Sequence, residues 1–381
     1  MNTANAKAST LLALLLPAAS PFLRAAEEKS FLESLRHQRT LTSTVPHNGD
    51  VNPYAVIVAP VSAGKIQKGD VLVDNFNGLS NLQGTGVTIV NYSPATKKIT
   101  TFVQLPQKLP QCPGGVGLST AMTMLKTGWV IVGSAPSIDG TTRTLGPGCL
   151  LVLDAAGQLV ATWAGPNINA PWGNMAAIDN GATAALFVSM SGFDVPGPEV
   201  KDAATGYPVT IRKATILRID LSIPEGKPPV IAGQTVIADG LGQRADKFVF
   251  LIGPTGLTLG PDGTLFASDA LGNQIIAIPG AATRTTSAGA GRTVSKDGML
   301  RRPLAMTMAP NGNLLVINAK NGQVVEINPA TGEQLGARWI NANPAQYPPG
   351  NGNLFGIAMK PDGSGFYYVS DDVNTLQEAV R

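Results

Sequence analysis

Histidine is nearly absent from this chain, which limits the chemistry that the chain can perform. The only two histidines among its 381 residues are His37 and His47, and both precede the first repeat unit described below. A histidine general base, a Ser-His-Asp triad and a histidine dyad are therefore excluded for residues 48–381. No Cys-x-x-Cys-His haem motif and no Gly-x-x-x-x-Gly-Lys phosphate loop occur. An enzymatic role stays open, but these residues do not favour it.

Oxygen-donor side chains offer most of the remaining chemistry. When the repeat units are aligned on their turn glycines, one residue of each unit falls at the same strand end: Asn75, Ser134, Met190, Asp269, Asn318 and Asp371. Asn174 adds a polar residue at the start of a first strand, where most other units have Gly or Ala. We expect all of these residues except Met190 to line the mouth of a central channel and to bind a ligand there.

Two interpretations of these oxygen donors stay open. Asp and Asn oxygens around one axis suit a hard divalent cation such as Ca²⁺, and Asn174, Asp269 and Asp371 are the metal candidates. The same residue types also cap strand ends by bonding the turn that follows. For Asn174 the alternative is a polar residue of the channel wall. No cofactor is firmly implied.

A repeated hairpin must position these residues. It is a strand, a turn and a second strand, and its clearest copies cover 256–269, 305–318 and 356–371. The turn glycines of all six copies are Gly69, Gly128, Gly181, Gly263, Gly312 and Gly363. Pro-Asp-Gly and Pro-Asn-Gly suit a hairpin turn because Pro fixes φ and Gly accepts a positive φ. Six units of about 50 residues, each with four strands, predict an all-β six-bladed β-propeller. Two β-sandwiches are the alternative.

The predicted domain organisation follows from this repeat. The six blades are expected at about 55–106, 114–165, 171–238, 254–297, 303–340 and 353–381. The sixth blade ends one strand short, and the β-prone segment 39–45, within the N-terminal segment 27–54, is expected to close it. Long loops in the first three blades mark that part of the channel mouth as the expected binding surface, although they are equally compatible with mere decoration.

Composition and charge bound the compartment and the partners. Charged residues are only 14% of the chain and the net charge is +3 with no basic run, so nothing indicates nucleic-acid binding. Residues 1–26 resemble an export signal, with Lys7 ahead of an apolar stretch that Pro17 and Pro21 interrupt. We expect a periplasmic or extracellular protein with no stable membrane span after signal removal; an uncleaved anchor is the alternative.

The two cysteines, Cys112 and Cys149, bear on the same question. In a propeller the link after the first blade and the loop before the third strand of the second blade lie on one face, and each carries one cysteine. An exported compartment would oxidise such a pair. We therefore predict a disulfide, with two unpaired buried thiols as the alternative.

The copies at 254–278, 303–327 and 353–377 resemble NHL-repeat propellers, whose repeat reads roughly Pro-x-Gly-Ile-Ala-x-x-x-x-Gly-x-Ile-Tyr-Val-x-Asp. The chain is more distantly similar to gluconolactonase-type and strictosidine-synthase-like propellers. The resemblance implies the fold but little about function. The gluconolactonase-like family has a metal-binding Asn at an inner-strand start and a metal-binding Asp at a second-strand end, which Asn174 and Asp371 match by position. The family's first-blade glutamate ligand has no counterpart here.

Three functions are compatible with these observations. The leading interpretation is an exported, non-catalytic propeller that binds a small molecule or a protein partner of unknown identity through the channel mouth of its first three blades. The alternative is a divalent-metal-dependent hydrolase or lactonase of the gluconolactonase-like type, using Asn174, Asp269 and Asp371. A cell-envelope scaffold without a small-molecule site is the third.

Overall fold

The computed structural model describes residue 1 and residues 30–381. The predicted export signal, 1–26, lies outside the described residues except for Met1. The continuous part opens with a short helix, α1 (Phe31–Ser34), and a strand, β1 (His37–Ser43). Among the described residues, no helix has the length and apolar character needed to cross a bilayer.

Six antiparallel sheets follow around a central axis, and each is one blade of a propeller. Blade one consists of β2 (Val51–Val58), β3 (Val71–Asn77), β4 (Thr88–Ser93) and β5 (Lys98–Gln104). Blade two consists of β6 (Leu118–Met124), β7 (Val130–Ser134), β8 (Cys149–Leu153) and β9 (Leu159–Trp163), with a single 3₁₀ turn at Thr142–Thr144. Blade three consists of β10 (Pro171–Asp179), β11 (Thr183–Met190), β12 (Ile211–Ser222), β13 (Val230–Asp246) and β14 (Phe250–Ile252).

The last three blades are more regular. Blade four consists of β15 (Pro254–Leu259), β16 (Leu265–Asp269), β17 (Gln274–Ile278) and β18 (Arg292–Lys296). Blade five consists of β19 (Pro303–Met308), β20 (Leu314–Asn318), β21 (Gln323–Ile327) and β22 (Gln334–Trp339). Blade six takes β23 (Leu354–Met359), β24 (Gly365–Ser370) and β25 (Thr375–Val380) from the end of the chain and β1 from its beginning. The predicted six-bladed all-β propeller is confirmed.

An N-terminal strand closes the ring, as predicted. β1 pairs with β25 from His37 opposite Val380 to Ser43 opposite Thr375. The strand itself is mostly exposed, so its ladder of hydrogen bonds, rather than a buried face, joins the two ends of the chain. The burial comes from the segment before it, because Phe31, Leu32 and Leu35 pack into the core between blades five and six.

The hairpin turns have the conformation that their residues predict. Gly263, Gly312 and Gly363 have φ of +78°, +85° and +67°, a region that residues with a side chain rarely adopt. Each donates its backbone N–H to the carbonyl three residues earlier, at 2.9–3.0 Å. These turns lie on one face of the ring, which we call the turn face. The connections from second to third strands and from blade to blade lie on the opposite face, the loop face.

Small residues begin most inner strands because the strands crowd around the axis. A Cβ at Gly256 would lie 2.5 Å from the Leu304 carbonyl oxygen, and one at Gly356 would lie 2.5 Å from that of Tyr54. Every first strand also has a register shift near its loop-face end. Asn174 lies within that irregularity in blade three, between Trp172 and Ala176.

Blade three departs from the predicted boundaries. It was expected to end near residue 238, but β13 continues to Asp246 and pairs there with β14. The additional hairpin carries the apolar run Val249-Phe250-Leu251-Ile252, and all four side chains are buried. This apolar run, placed between a polar turn and Gly253-Pro254, is the sequence feature that the spacing analysis missed.

Candidate functional site

Four of the predicted channel residues bond the loops next to them. Asp269 accepts hydrogen bonds from the Gly272 N–H at 2.9 Å and from the Gln274 side chain at 2.9 Å. The remaining three behave alike: Asn318 bonds the backbone of Arg301 and Met299, Ser134 bonds Gly117 and Gly115, and Asn75 donates to the Thr44 carbonyl. These hydrogen bonds match the capping alternative, although the Asn75 Oδ1 is buried without a partner, and ligand binding by these residues stays a prediction.

Asp371 needs a correction of one residue in the alignment. Ser370, rather than Asp371, pairs with Leu354 at the position that Asp269 and Asn318 occupy in their blades. The Asp371 backbone N–H donates to the Asn353 carbonyl at 2.9 Å, while its carboxyl group makes no hydrogen bond within the described residues. Burial, assisted by the neighbouring charge of Asp372, raises the pKa of Asp371 to about 7.

Asn174 lies close to the axis and ties three blades together. Its amide donates to the carbonyl oxygens of Leu257, at 2.7 Å, and Met306, at 3.2 Å, while its side-chain oxygen accepts from the Met306 N–H at 3.3 Å. Asn174 also borders the open end of the channel on the turn face, a space of about 440 Å³. This agrees with the expectation of a polar channel residue.

The three metal candidates do not form a ligand set as they stand. Asn174 is bonded to inner-strand backbone and Asp269 to its own turn, so both would have to give up existing hydrogen bonds to hold a cation. Across the described part of the chain, no group of three or more His, Cys, Asp or Glu side chains has an arrangement that could hold a metal ion. The residues present therefore do not fit a divalent cation at this position.

Aromatic side chains close the channel on the loop face. Five buried rings pack against one another there: Tyr54, Phe76, Trp172, Phe250 and Phe355. Ring centroids are 4.1 Å apart for Tyr54 and Phe355 and 5.4 Å apart for Phe76 and Phe250. Phe250 comes from the additional hairpin of blade three, so this hairpin helps to close the channel. We call these five residues the aromatic plug. The protein's own aromatic side chains thus occupy the axis at the loop face.

The loops of the first two blades pack on one another instead of forming an open mouth. Cys112 and Cys149 form the predicted disulfide, with Cα atoms 5.2 Å apart. Backbone bonds reinforce it, from Gly148 to Pro113 at 2.8 Å and from Ser137 to Gly84 at 2.9 Å. The long loops of blades one and two, for which ligand binding and mere decoration were both left open, are thus joined to each other.

Two adjoining cavities open on the loop face farther round the ring. The wider one has a volume of about 350 Å³ and is lined by the second-to-third-strand loop and additional hairpin of blade three, the link before blade five and the link before blade six. A narrower one of about 200 Å³ shares Arg244, Arg302 and Lys320 with it. We call the first the loop-face cavity. A cavity of this size suits a small organic molecule.

Asp74, one residue before Asn75, is a buried carboxyl group that the sequence analysis did not single out. Its Oδ1 accepts the Ala55 N–H at 2.7 Å, while its Oδ2 is buried without a partner. Burial raises the pKa of Asp74 to about 8, more than this hydrogen bond lowers it. The matching residues of blades three and four are serines, Ser189 and Ser268, whose hydroxyls donate to backbone carbonyls. Asp74 is thus held in its neutral form at pH 7.

Together these features define a six-bladed β-propeller whose axis is plugged on the loop face and whose cavity lies beside the plug. The sequence matches no protein-family model and no curated protein. Solved structures do match it across nearly its full length. A gluconolactonase from Xanthomonas campestris covers 90% of this chain and 89% of its own, at 13% identity and a TM-score of 0.53.

Two further solved structures give the same result. Regucalcin from Agrobacterium tumefaciens, described as a calcium-binding protein, is 13% identical over 90% of this chain and 93% of its own, with a TM-score of 0.50. Virginiamycin B lyase from Staphylococcus aureus is 14% identical over 91% and 99%, also with a TM-score of 0.50. At this identity the likeness shows the fold alone. It confirms the resemblance to gluconolactonase-type propellers at that level, and the NHL resemblance stays a prediction.

Proposed function

We propose that this propeller recognises a small organic molecule in the loop-face cavity. The observation that carries the proposal is the cavity itself, about 350 Å³ with polar and aromatic walls, next to a channel that the aromatic plug closes. Ligand sites in proteins are commonly concave spaces of about 300–1,000 Å³ with a few polar groups. The proposed binding surface thus lies between blade three and blade six, whereas the sequence analysis expected it at the channel mouth of the first three blades.

Hydrolysis of the bound molecule, as by a lactonase, is the use of this site that the comparisons support over purely non-catalytic binding. The similar solved structures include a gluconolactonase and a lyase. Asp371 adds a specific observation, because a carboxyl group with a pKa of about 7 can accept a proton from water near neutral pH. Its backbone joins the segment around Asn353, and Asn351 of that segment borders the loop-face cavity.

A divalent cation does not enter this proposal through the predicted ligands. Regucalcin is described as calcium-binding, but in this chain Asn174 and Asp269 are bonded to protein groups and Asp371 lies one residue beyond the aligned position. The candidate general base is Asp371, whose carboxyl group is not among the side chains that line the loop-face cavity, and no step is derived through a metal.

The test measures lactone hydrolysis and ligand binding separately. Gluconolactone turnover is monitored through the acid that hydrolysis releases, and its rate is expected to rise with pH through about 7 as Asp371 loses its proton. Asp371→Asn is expected to lower kcat by about a hundredfold, a typical loss for a general base. Asp262→Asn, on a turn-face hairpin, is the matched control. Saturable binding without turnover in the unmodified protein would leave a non-catalytic binding protein; neither binding nor turnover with a panel of lactones and hydroxy acids would overturn the proposal.

We also propose that the protein works outside the cytoplasm. The disulfide is compatible with an oxidising compartment, and the expected export signal, although outside the described residues, points the same way. Recovery of the protein from the periplasm or the medium of its native host, with residues 1–26 removed, is the expected result; recovery from the cytosol with free thiols would contradict it.

A further inference from the structure

We infer that the loop-face cavity is built for a small organic anion, an inference that rests on the proposed function and names the class of its ligand. Cationic side chains outnumber acidic ones among the lining residues: Lys201, Arg244, Lys247, Arg302 and Lys320 face a single carboxylate, Asp246. The whole chain carries a net charge of only +3, so this concentration of positive charge is local. A cleft lined by one sign of charge attracts ligands of the opposite sign.

The one carboxylate of the cavity is already neutralised. Asp246 pairs with Arg302 through two contacts of 3.0 and 3.2 Å, and both side chains are largely buried. Within residues 30–381, none of the other four cations of the cavity takes part in a salt bridge. The surplus of positive charge therefore remains available to a ligand.

Arg244 is the residue that points most directly to an anion. Its Nε is buried without a hydrogen-bond partner, and its guanidinium stacks on the Tyr207 ring at 4.7 Å from the centroid. Burial lowers the pKa of Arg244 and outweighs the opposing effect of Asp246. Removing a guanidinium N–H group from water without giving it a hydrogen-bond partner is unfavourable, and a carboxylate or phosphate would match the planar set of donors of the side chain.

The other residues that line the cavity indicate the character of the uncharged part of the ligand. Tyr207 and Phe248 are 59% and 48% exposed, and Pro198 and Pro208 line the same space. Exposed rings beside cations suit a molecule that carries an oxyanion on a flat or ring-shaped apolar body. The narrower cavity beyond Arg244, with Arg301 on its wall, offers room for a second polar substituent.

Matched probes separate charge from shape. Benzoate and phenyl phosphate carry a carboxylate and a phosphate on the same ring, and benzamide is an uncharged analogue of benzoate. We expect both anions to bind by calorimetry, with affinity that falls as salt rises, and benzamide to bind at least about tenfold more weakly, as the loss of a charge-assisted bond implies. The tighter of the two anions identifies the preferred oxyanion.

Two variants and one control test the assignment. Arg244→Gln and, independently, Lys320→Gln should each weaken anion binding by about tenfold or more, whereas Arg292→Gln, which removes an exposed arginine on β18, should not. Arg244→Gln should change stability little, because losing the contact with the Tyr207 ring is offset by removing a charge that burial disfavours. Equal affinity for benzamide and benzoate would overturn the anion inference and leave the proposed small-molecule site standing. Anion binding that survives Arg244→Gln, Lys320→Gln and Tyr207→Ala would overturn both.

Discussion

Asp74 shows how one position of the repeat is used with different chemistry in different blades. Where blades three and four place a serine hydroxyl that donates to the next blade, blade one places a carboxyl group with one bonded and one unpaired oxygen. Its raised pKa, about 8, keeps it in the neutral form, which can donate as a hydroxyl does. The folded state therefore holds a proton that the unfolded chain releases above about pH 4.

Asp74→Asn is expected to stabilise the protein in alkaline solution. Because the folded-state pKa of Asp74 lies above its unfolded value, its favourable contribution is complete below about pH 4 and is lost as the pH rises toward 8. The amide cannot ionise, so the variant should lose this part of the pH dependence and gain on the order of a few kcal/mol at pH 8. Urea unfolding between pH 5 and pH 9 measures it.

Asp74→Ala is the matched control for the lost hydrogen bond. It leaves the Ala55 N–H without its partner and should destabilise the protein by about 1–3 kcal/mol at pH 5, where the Asn variant should be close to neutral. A parallel pH dependence in the Asn variant and the unmodified protein would contradict a neutral Asp74.

At this scale the sequence predicted residue types better than residue roles. Aligning the repeat units on their turn glycines correctly identified Asp269 and Asn318 as the last residues of second strands. Their hydrogen bonds to neighbouring loops depend on loop conformations that no local pattern specifies. Asp371 was misplaced because the alignment allowed two additional residues between turn and strand end in blade six, where the hairpin contains one and the strand-end position falls on Ser370. Arg244 escaped notice because the burial of its Nε without a hydrogen-bond partner is visible only in the folded arrangement.

Among the elements, α1 fastens the N-terminal segment in addition to β1. The Glu326 carboxylate, fully buried on β21, accepts hydrogen bonds from the Ser30 hydroxyl at 2.6 Å and from the N–H groups of Phe31 and Leu32 at 2.9 and 3.0 Å. Asn311 and Asn313 also donate to it. Burial alone would raise the pKa of Glu326, but these hydrogen bonds hold it below its ordinary value. The anchor is therefore intact at neutral pH and weakens in acid.

Glu326→Gln is expected to loosen this anchor without breaking the ring. An amide offers one acceptor in place of the carboxylate's two and would set its N–H₂ against other donors, so the loss should be about 1–3 kcal/mol. Limited proteolysis should then cut near residues 30–36 faster than in the unmodified protein. Glu333→Gln, exposed at the end of the same blade, is the control and should behave like the unmodified protein; equal cleavage in the Glu326 variant would show that β1 alone holds the segment.

The predictability of the elements differs along the chain. The late blades were placed closely because Pro, Asp or Asn, and Gly fix each hairpin turn locally. The additional hairpin of blade three was missed because its role is tertiary: Phe250, with a φ of +64°, is held there by its contacts with Phe76 and Trp172. The prediction of the closing strand succeeded because it depended on a missing partner at the other end of the chain.

For the molecule as a whole, the disulfide that stabilises the fold lies in a different part of the ring from the loop-face cavity. Cys112 and Cys149, 37 residues apart and both buried, join the loops of blades one and two, whereas the loop-face cavity begins at blade three. Replacing both with serine should lower the free energy of unfolding by about 2–4 kcal/mol, chiefly by freeing the unfolded chain. Thermal melts with and without reductant, and with the variant, measure this change.

Binding supplies the internal control for that experiment. Affinity for the anionic probe should be the same in the double-serine variant and the unmodified protein, because no residue that lines the loop-face cavity belongs to the stapled loops. A large loss of affinity below the melting transition would show that blades one and two shape the site after all.

Ring closure also determines the face of the propeller at which the two chain ends lie. The Arg36 N–H donates to the Val380 carbonyl at 2.8 Å and the Arg381 side chain to the Ser34 hydroxyl at 3.2 Å, so both ends of the described fold meet at one point. That point lies toward the turn face, opposite the cations and exposed rings of the loop face. A tether attached before residue 30 or after residue 381, whether to a resin, a bead or a cell surface, would hold the propeller by its turn face. The loop face and its cavity would then point away from the support.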